Sequence, residues 1–255
     1  MHFGSPSTVR RAPFVIVLAC ALVTSACAGR GVFKPEFEYE EELYLALDGS
    51  ATLNVNASVA SLVALRGFAL DPNPRARLDR TAVRALFEGP GAEVSKVSLS
   101  RRDGRRFVHV SIQVADVRRL AVLAPFAWSS YRLDRQGDVI EFRQVIGASA
   151  GKQVDAGWTG QELVAFRMHL PSEIPFHNSP AGVQRGNILE WDQPLVERLK
   201  GTPLDVRVQL EPESILYTTL LLFGSTVVAA AMAFALLIWW VARRGRQGEI
   251  AESRS

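Results

Sequence analysis

Few residues in this chain have types and spacings that could do chemistry. Gly147-Ala148-Ser149-Ala150-Gly151 matches G-x-S-x-G, the turn on which α/β-hydrolases present a nucleophilic serine. That turn needs a strand before it, a helix behind it, and an acid and a histidine further along to manage the serine's proton. A strand pattern does precede it, and His169 and His177 follow. Lys152 to Gly160, however, carries Gly157, Trp158 and Gly160 and has no helical period. A loop is the expectation, and an envelope serine hydrolase acting through Ser149 is the outsider. Gly151-Lys152 invites comparison with a phosphate-binding loop, but three residues rather than four separate the glycines, and Gln153 follows the lysine. His169, Glu173 and His177 could offer metal ligands. Their spacing crosses a strand end and two prolines, Pro171 and Pro175, unlike the short intervals of zinc sites. No metal and no cofactor is expected.

Other groups point to binding rather than catalysis. Arg101, Arg102, Arg105 and Arg106 cluster four guanidiniums around one hairpin tip, either as a solvated turn or as contacts to phospholipid head groups. Trp128, Trp158 and Trp191 read as core aromatics or as the lining of a pocket. His109 falls on the polar face of its strand. Both cysteines, Cys20 and Cys27, lie near the N-terminus, so the rest of the chain has no thiol for catalysis, metal binding or an internal disulfide. Asn56-Ala57-Ser58 fits a glycosylation acceptor, a short pattern that matches often by chance.

The two ends set the compartment. Arg10 and Arg11 precede the apolar stretch Ala12 to Val23, and Thr24-Ser25-Ala26-Cys27-Ala28 follows, so residues 1–28 read as an export signal. Cys27 resembles the acylated cysteine of a lipobox, with Thr24 where Leu or a similar residue is usual. A cut after Ala28 in an A-x-A pattern fits as well, and an uncleaved anchor is a third route. From Ile215 to Ala242 no residue is charged. As a helix this run would be about 42 Å long against about 30 Å of hydrocarbon. Residues 214–242 thus read as a transmembrane helix, with Tyr217 near one interface and Trp239 and Trp240 near the other. Arg243, Arg244 and Arg246 follow and place the tail, 243–255, in the cytoplasm. This predicts a single-pass protein of the bacterial cytoplasmic (inner) membrane with an extracytoplasmic domain over residues 29–213. Ser225, Ala229 and Ala233 recur on one helix face and permit close approach of a partner helix. The net charge of +3 belongs to the ends, which carry +2 each and leave the middle at −1. Nucleic acid is therefore not an expected partner.

Between the ends, period-2 alternation and turn residues predict an α+β domain. A strand from Glu38 to Leu47 turns at Asp48-Gly49-Ser50 into Ala51 to Ala57. Ser58 caps a short helix through Leu65 that Gly67 stops, and Asp79 caps another over Thr81 to Phe87. Asp103-Gly104 joins Val94–Arg101 to Arg105–Val114 in a hairpin. A helix from Asp116 to Leu123, a hairpin of Trp128–Arg135 and Val139–Ile146, and strands Glu162–Leu170, Asn187–Asp192 and Leu204–Leu210 follow. The expectation is a mostly antiparallel sheet of about seven to nine strands with two or three short helices, plus the C-terminal transmembrane helix.

Arg185-Gly186-Asn187-Ile188-Leu189-Glu190-Trp191, followed by Leu199-Lys200-Gly201 and a last strand into the anchor, resembles the LppM-type bacterial lipoprotein domain. The resemblance implies envelope work with a lipid or glycolipid ligand, and it brings no catalytic residues. The functional expectation is a non-enzymatic, membrane-tethered envelope protein that binds a lipid-like ligand or an envelope component. The alternative is a scaffold recruiting another membrane protein. A binder of this kind needs an apolar cavity of several hundred Å³, whereas a scaffold needs a flat apolar patch.

Overall fold

Alternation decides which side of each strand is buried. In β1 (Phe37–Leu45) Tyr39, Glu41, Leu43 and Leu45 turn inward, and they face Ala57, Val55, Leu53 and Ala51 of β2 (Ala51–Ser58) across an antiparallel ladder. The residues between them, among them Glu40, Glu42, Asn54 and Asn56, point to the other side. The computed structural model describes residues 36–252. The predicted export signal with Cys27 lies outside the described residues, as do the side chains of Arg243 and Arg244.

Helix α1 (Val59–Arg66) starts where Ser58 Oγ accepts the Ser61 N–H at 2.9 Å, and it ends at Gly67, whose φ of 70° lets its N–H return to Val63 O. Every residue of α1 is buried. Helix α2 (Arg80–Phe87) begins at Asp79, which accepts from Thr81 N at 3.0 Å, and buries Val83 and Phe87. Strands β3 (Ala92–Arg102) and β4 (Arg105–Val114) meet through Asp103 and Gly104 at φ 49° and 72°. Two successive left-handed residues match the twist of the flanking strands. The expected helix after β4 is instead two 3₁₀ turns, Val117–Val122 and Ala124–Phe126.

The remaining strands are β5 (Ser129–Gln136), β6 (Val139–Ile146), β7 (Leu163–His169), β8 (Phe176–His177), β9 (Ile188–Pro194) and β10 (Leu204–Leu210), with a short helix α3 (Leu195–Leu199) before the last. The class is α+β as expected, and among the described residues ten strands form two sheets. One has the order β3-β4-β2-β1-β7-β9 and the other β5-β6-β10-β8. Pairing is antiparallel except between β1 and β7. The inner faces meet in one core, where Tyr39, Phe166, Met168 and Trp191 join Tyr131, Phe142, Val206 and Val208. Burying one such large side chain contributes about 1.5–3 kcal/mol. Leu189 and Trp191 turn inward on β9 while Ile188 and Glu190 do not, as alternation requires.

Helix α4 (Ile215–Glu252) begins four residues after β10. Its first turn is fastened to the domain, where Ile215 N donates to Pro171 O at 3.0 Å and Ser214 Oγ to the same oxygen at 3.3 Å. Residues Ile215–Trp240 form a 26-residue helix long and apolar enough to cross a membrane, and none of its most apolar window is buried. Tyr217 and Trp239 lie 22 residues apart, about 33 Å along the axis, which suits a hydrocarbon layer of about 30 Å.

Candidate functional site

The four hairpin arginines do not act together. Residues opposite one another in an antiparallel ladder project to the same side. The register pairs Arg101 with Arg106 and Arg102 with Arg105, so the strands send two guanidiniums to each face. On the outer face, Arg105 Nε lies 3.0 Å from Glu38 Oε1 and its Nη2 lies 3.3 Å from Glu36. Arg102 donates to Phe37 O at 2.5 Å and stacks 4.3 Å over the Phe107 ring. These two fasten the start of β1 and neutralise Glu38, which is fully buried. Their charge is thus engaged within the chain, which leaves less of it for the head-group contacts expected of them.

On the inner face Arg106 is buried, donating to Ala76 O at 3.0 Å and to Asp71 O. It therefore pins the loop between α1 and α2. That loop is stiffened locally, with Asn73 N donating to Asp71 Oδ1 and Arg75 N to Asn73 Oδ1. Its path brings Arg75 and Arg77 beside Arg101. With Leu78, Leu99 and Arg106 they line an open groove of about 420 Å³. Arg75, Arg77 and Arg101 are exposed and make no ion pair with a carboxylate among the described residues. Sequence reading missed Arg75 and Arg77. Their one signal was position directly after the Asp71-Pro72-Asn73-Pro74 turn.

A second groove, of about 460 Å³, lies at the 147–160 segment and is lined by Ala64, Ser149, Lys152, Val154, Trp158 and Leu199 among others. The G-x-S-x-G pattern owes its glycines to packing. A Cβ on Gly147 would sit 2.9 Å from Trp128 O, and one on Gly151 would sit 2.0 Å from Ala64 O. Ser149 Oγ donates to Leu199 O at 3.4 Å, no helix follows, and His169 is engaged elsewhere. Nothing here activates a serine.

The outer face of the larger sheet is a network of satisfied polar groups. His169 Nε2 meets Glu42 Oε1 at 2.8 Å, and its ring stacks on Tyr44 at 4.0 Å. Arg167 bridges Glu40 and Glu190. His109 Nδ1 meets Asn56 Oδ1 at 2.9 Å and its Nε2 meets Ser100 Oγ at 2.7 Å, a hydroxyl that can donate or accept. Burial, then the Arg102 charge, lowers its pKa. His177 lies on β8 in the other sheet, so the imagined set of His169, Glu173 and His177 is not assembled. Among the described residues, no three His, Cys, Asp or Glu gather as metal ligands.

The interior offers little room. Between the sheets, around Glu41, Tyr131, Gln144 and Trp191, the free space is about 10 Å³, room for one water at most. A pocket beneath a concave sheet was the expectation. Instead the second sheet covers that face and its side chains fill it, so no lipid-sized ligand fits between the sheets. Trp191 is buried and donates Nε1–H to Asn178 Oδ1 at 3.0 Å, while Trp158 lines the second groove and donates to Glu38 at 3.1 Å.

No protein-family model matches the chain. No curated protein matches it either. Among solved structures, it is similar to the NMR structure of the folded domain of the Mycobacterium tuberculosis LppM protein. The identity is 13%, with 72% of this chain and 95% of that chain covered, at a TM-score of 0.39. A likeness of that degree carries no argument about function.

Proposed function

We propose that this chain is a non-enzymatic, membrane-tethered envelope protein whose extracytoplasmic domain holds the anionic head group of a lipid-like ligand. The observation that carries this reading is the convergence of Arg75, Arg77 and Arg101 on one groove with the apolar side chains of Leu78 and Leu99. Three cations without carboxylate partners form a focused positive field, and apolar side chains beside them suit the start of an acyl chain. The helix Ile215–Trp240 supports the tether, because it starts only four residues beyond the last strand and keeps the domain close to a bilayer.

The test is binding of dihexanoylphosphatidylglycerol, below its micelle concentration, to the full chain in a non-ionic detergent. Each cation near an anionic lipid surface contributes about 1 kcal/mol, so replacing Arg75, Arg77 and Arg101 together by serine should weaken binding on the order of 100-fold. Dihexanoylphosphatidylcholine should bind much more weakly than the glycerol lipid. Equal binding of both lipids, or no effect of the triple substitution, would overturn the reading.

A further inference from the structure

Two arginines are buried where the surroundings supply little negative charge. Arg198 on α3 is fully buried and Arg66, the last residue of α1, is 9% exposed. Both guanidiniums lie over the Trp128 ring, 3.7 Å from its centroid for Arg66 and 5.3 Å for Arg198. Neither pairs directly with a carboxylate among the described residues. Arg198 gives Nη1 to Gln193 Oε1 at 3.3 Å and Nη2 to Gly147 O, which leaves Nε without a partner. Arg66 has no partner for Nε or Nη2, whereas the Trp128 indole N–H is turned toward the Glu41 carboxylate. The carboxylate whose charge acts on Arg66 is Glu41, and it accepts from Tyr39 and, at 3.4 Å, from Gln144. Burial also pushes the Glu41 carboxyl up, which weakens it as a counter-charge.

On Arg66 the unpartnered atoms have a specific shape. Nε and Nη2 are the parallel donors of a guanidinium's side-on edge, which matches two oxygens of a carboxylate or phosphate. Arg143 uses the same two atoms on Asp205, at 2.9 Å each. A buried cation left unpaired is strongly unfavourable, so a partner anion would relieve a cost the fold otherwise bears.

The 147–152 segment passes close to this cluster and is held by its backbone. Gly147 N donates to Trp128 O at 2.7 Å, Ala150 N to Leu65 O at 3.1 Å and Lys152 N to Val63 O at 3.4 Å. Outside it opens the groove of about 460 Å³ that Lys152 and Lys200 also line. If this segment lifts, the buried edge opens toward the groove, and Lys152 would draw an anion to its entrance, whereas Lys200 is already paired with Glu197 at 2.7 Å.

We infer that Arg66 and Arg198, both stacked on the Trp128 ring, form an internal binding site for a phosphate-type oxyanion, entered from the second groove and closed by the 147–152 segment. This site is separate from the Arg75, Arg77 and Arg101 groove and does not depend on it.

The test follows the Nε–H signals of Arg66 and Arg198 and the indole N–H of Trp128 by NMR in the isotope-labelled full chain in non-ionic detergent. Inorganic phosphate is titrated in one arm and dihexanoylphosphatidic acid in the other. All three signals should shift together and saturate. Saturation at similar concentrations in both arms identifies free phosphate as sufficient, while saturation at least tenfold lower with the lipid identifies a lipid head group. Arg66→Lys keeps a positive charge but loses the side-on edge, and should weaken binding at least tenfold. The Arg75, Arg77 and Arg101 triple serine variant should leave these shifts unchanged. Should the three signals stay still in the wild-type chain in both arms, or should the triple variant abolish the shifts, the inference fails.

Discussion

Replacing Gly151 by alanine would put a methyl carbon 2.0 Å from Ala64 O, 2.2 Å from Ala64 C and 2.3 Å from Val63 O. These atoms belong to the backbone of a buried helix and cannot swing aside, so the 147–152 segment must lift by more than an ångström. Lifting breaks the hydrogen bonds from Ala150 N to Leu65 O and from Lys152 N to Val63 O. Each contributes about 1 kcal/mol, so the loss is about 2–3 kcal/mol once poorer packing is included. Gly151 is not in the left-handed region, so alanine also stiffens the unfolded chain and returns about 0.4–1 kcal/mol. The net expectation is about 2 kcal/mol. With a urea slope of about 2 kcal/mol/M, the midpoint of the full chain in non-ionic detergent should fall by about 1 M. Hydrogen exchange at the Ala150 and Lys152 amides should lose its protection in the same variant. Ser149→Ala is the contrast: its hydroxyl makes one long bond, at 3.4 Å, and its loss should cost about 0.5 kcal/mol or less. A Gly151→Ala chain with the wild-type midpoint and wild-type amide protection would refute the packing argument. A folded Ser149→Ala chain that lost an assayable function would bring the serine back into consideration.

Trp191→Ala removes a side chain that is 3% exposed between the sheets, together with its bond to Asn178, and should cost about 3–5 kcal/mol in urea unfolding; a change below about 1 kcal/mol would contradict its place in the core. Burial alone would raise the Glu42 pKa, but hydrogen bonds from His169 and Asn54 outweigh it and hold the carboxyl below the ordinary 4.5. Its folded value is depressed, so its stabilisation is present above about pH 4.5 and is lost as pH falls through the folded value. The stability difference between wild type and Glu42→Gln should therefore shrink on acidification below 4.5, and a difference that grows there would reverse the sign. His109 should titrate below 6.5 by NMR, with the domain losing stability as pH falls from 6.5 toward that value, because the unfolded ring takes up a proton that the folded ring refuses; a value above 6.5 would contradict the dominance of burial and the Arg102 charge at this ring. A reporter fused after Ser255 should be active only if it is a cytoplasmic reporter, and the opposite pattern would sink the proposed topology.

Sequence alone determined what depends on near neighbours. The hairpins were legible because alternation shows one apolar face and because Asp103-Gly104 accepts positive φ cheaply. Helix α1 was legible at both ends, since Ser58 and Gly67 act on backbone groups within four residues of themselves. That Leu189 and Trp191 share one face followed from period two. The apolar helix after Glu213 was plain from the absence of charge over Ile215 to Ala242. Tertiary structure decided everything set by partners distant in the chain. The parallel pairing of β1 with β7 joins residues more than 120 positions apart, as at Glu40 and Ala165, and no local pattern names a strand's partner at that range. The same holds for the division into two sheets, which turned an expected pocket into a filled core. Four consecutive-looking arginines became two pairs on opposite faces through a register that the turn sets but only the assembled sheet gives meaning. Arg75, Arg77 and Arg101 share a groove because Arg106 pins a loop. Arg66 and Arg198 share the ring of Trp128 because α1, α3 and the start of β5 converge. Charges that meet this way are 132 residues apart in the sequence, and burial, the property that makes them costly and so informative, belongs to the folded chain alone.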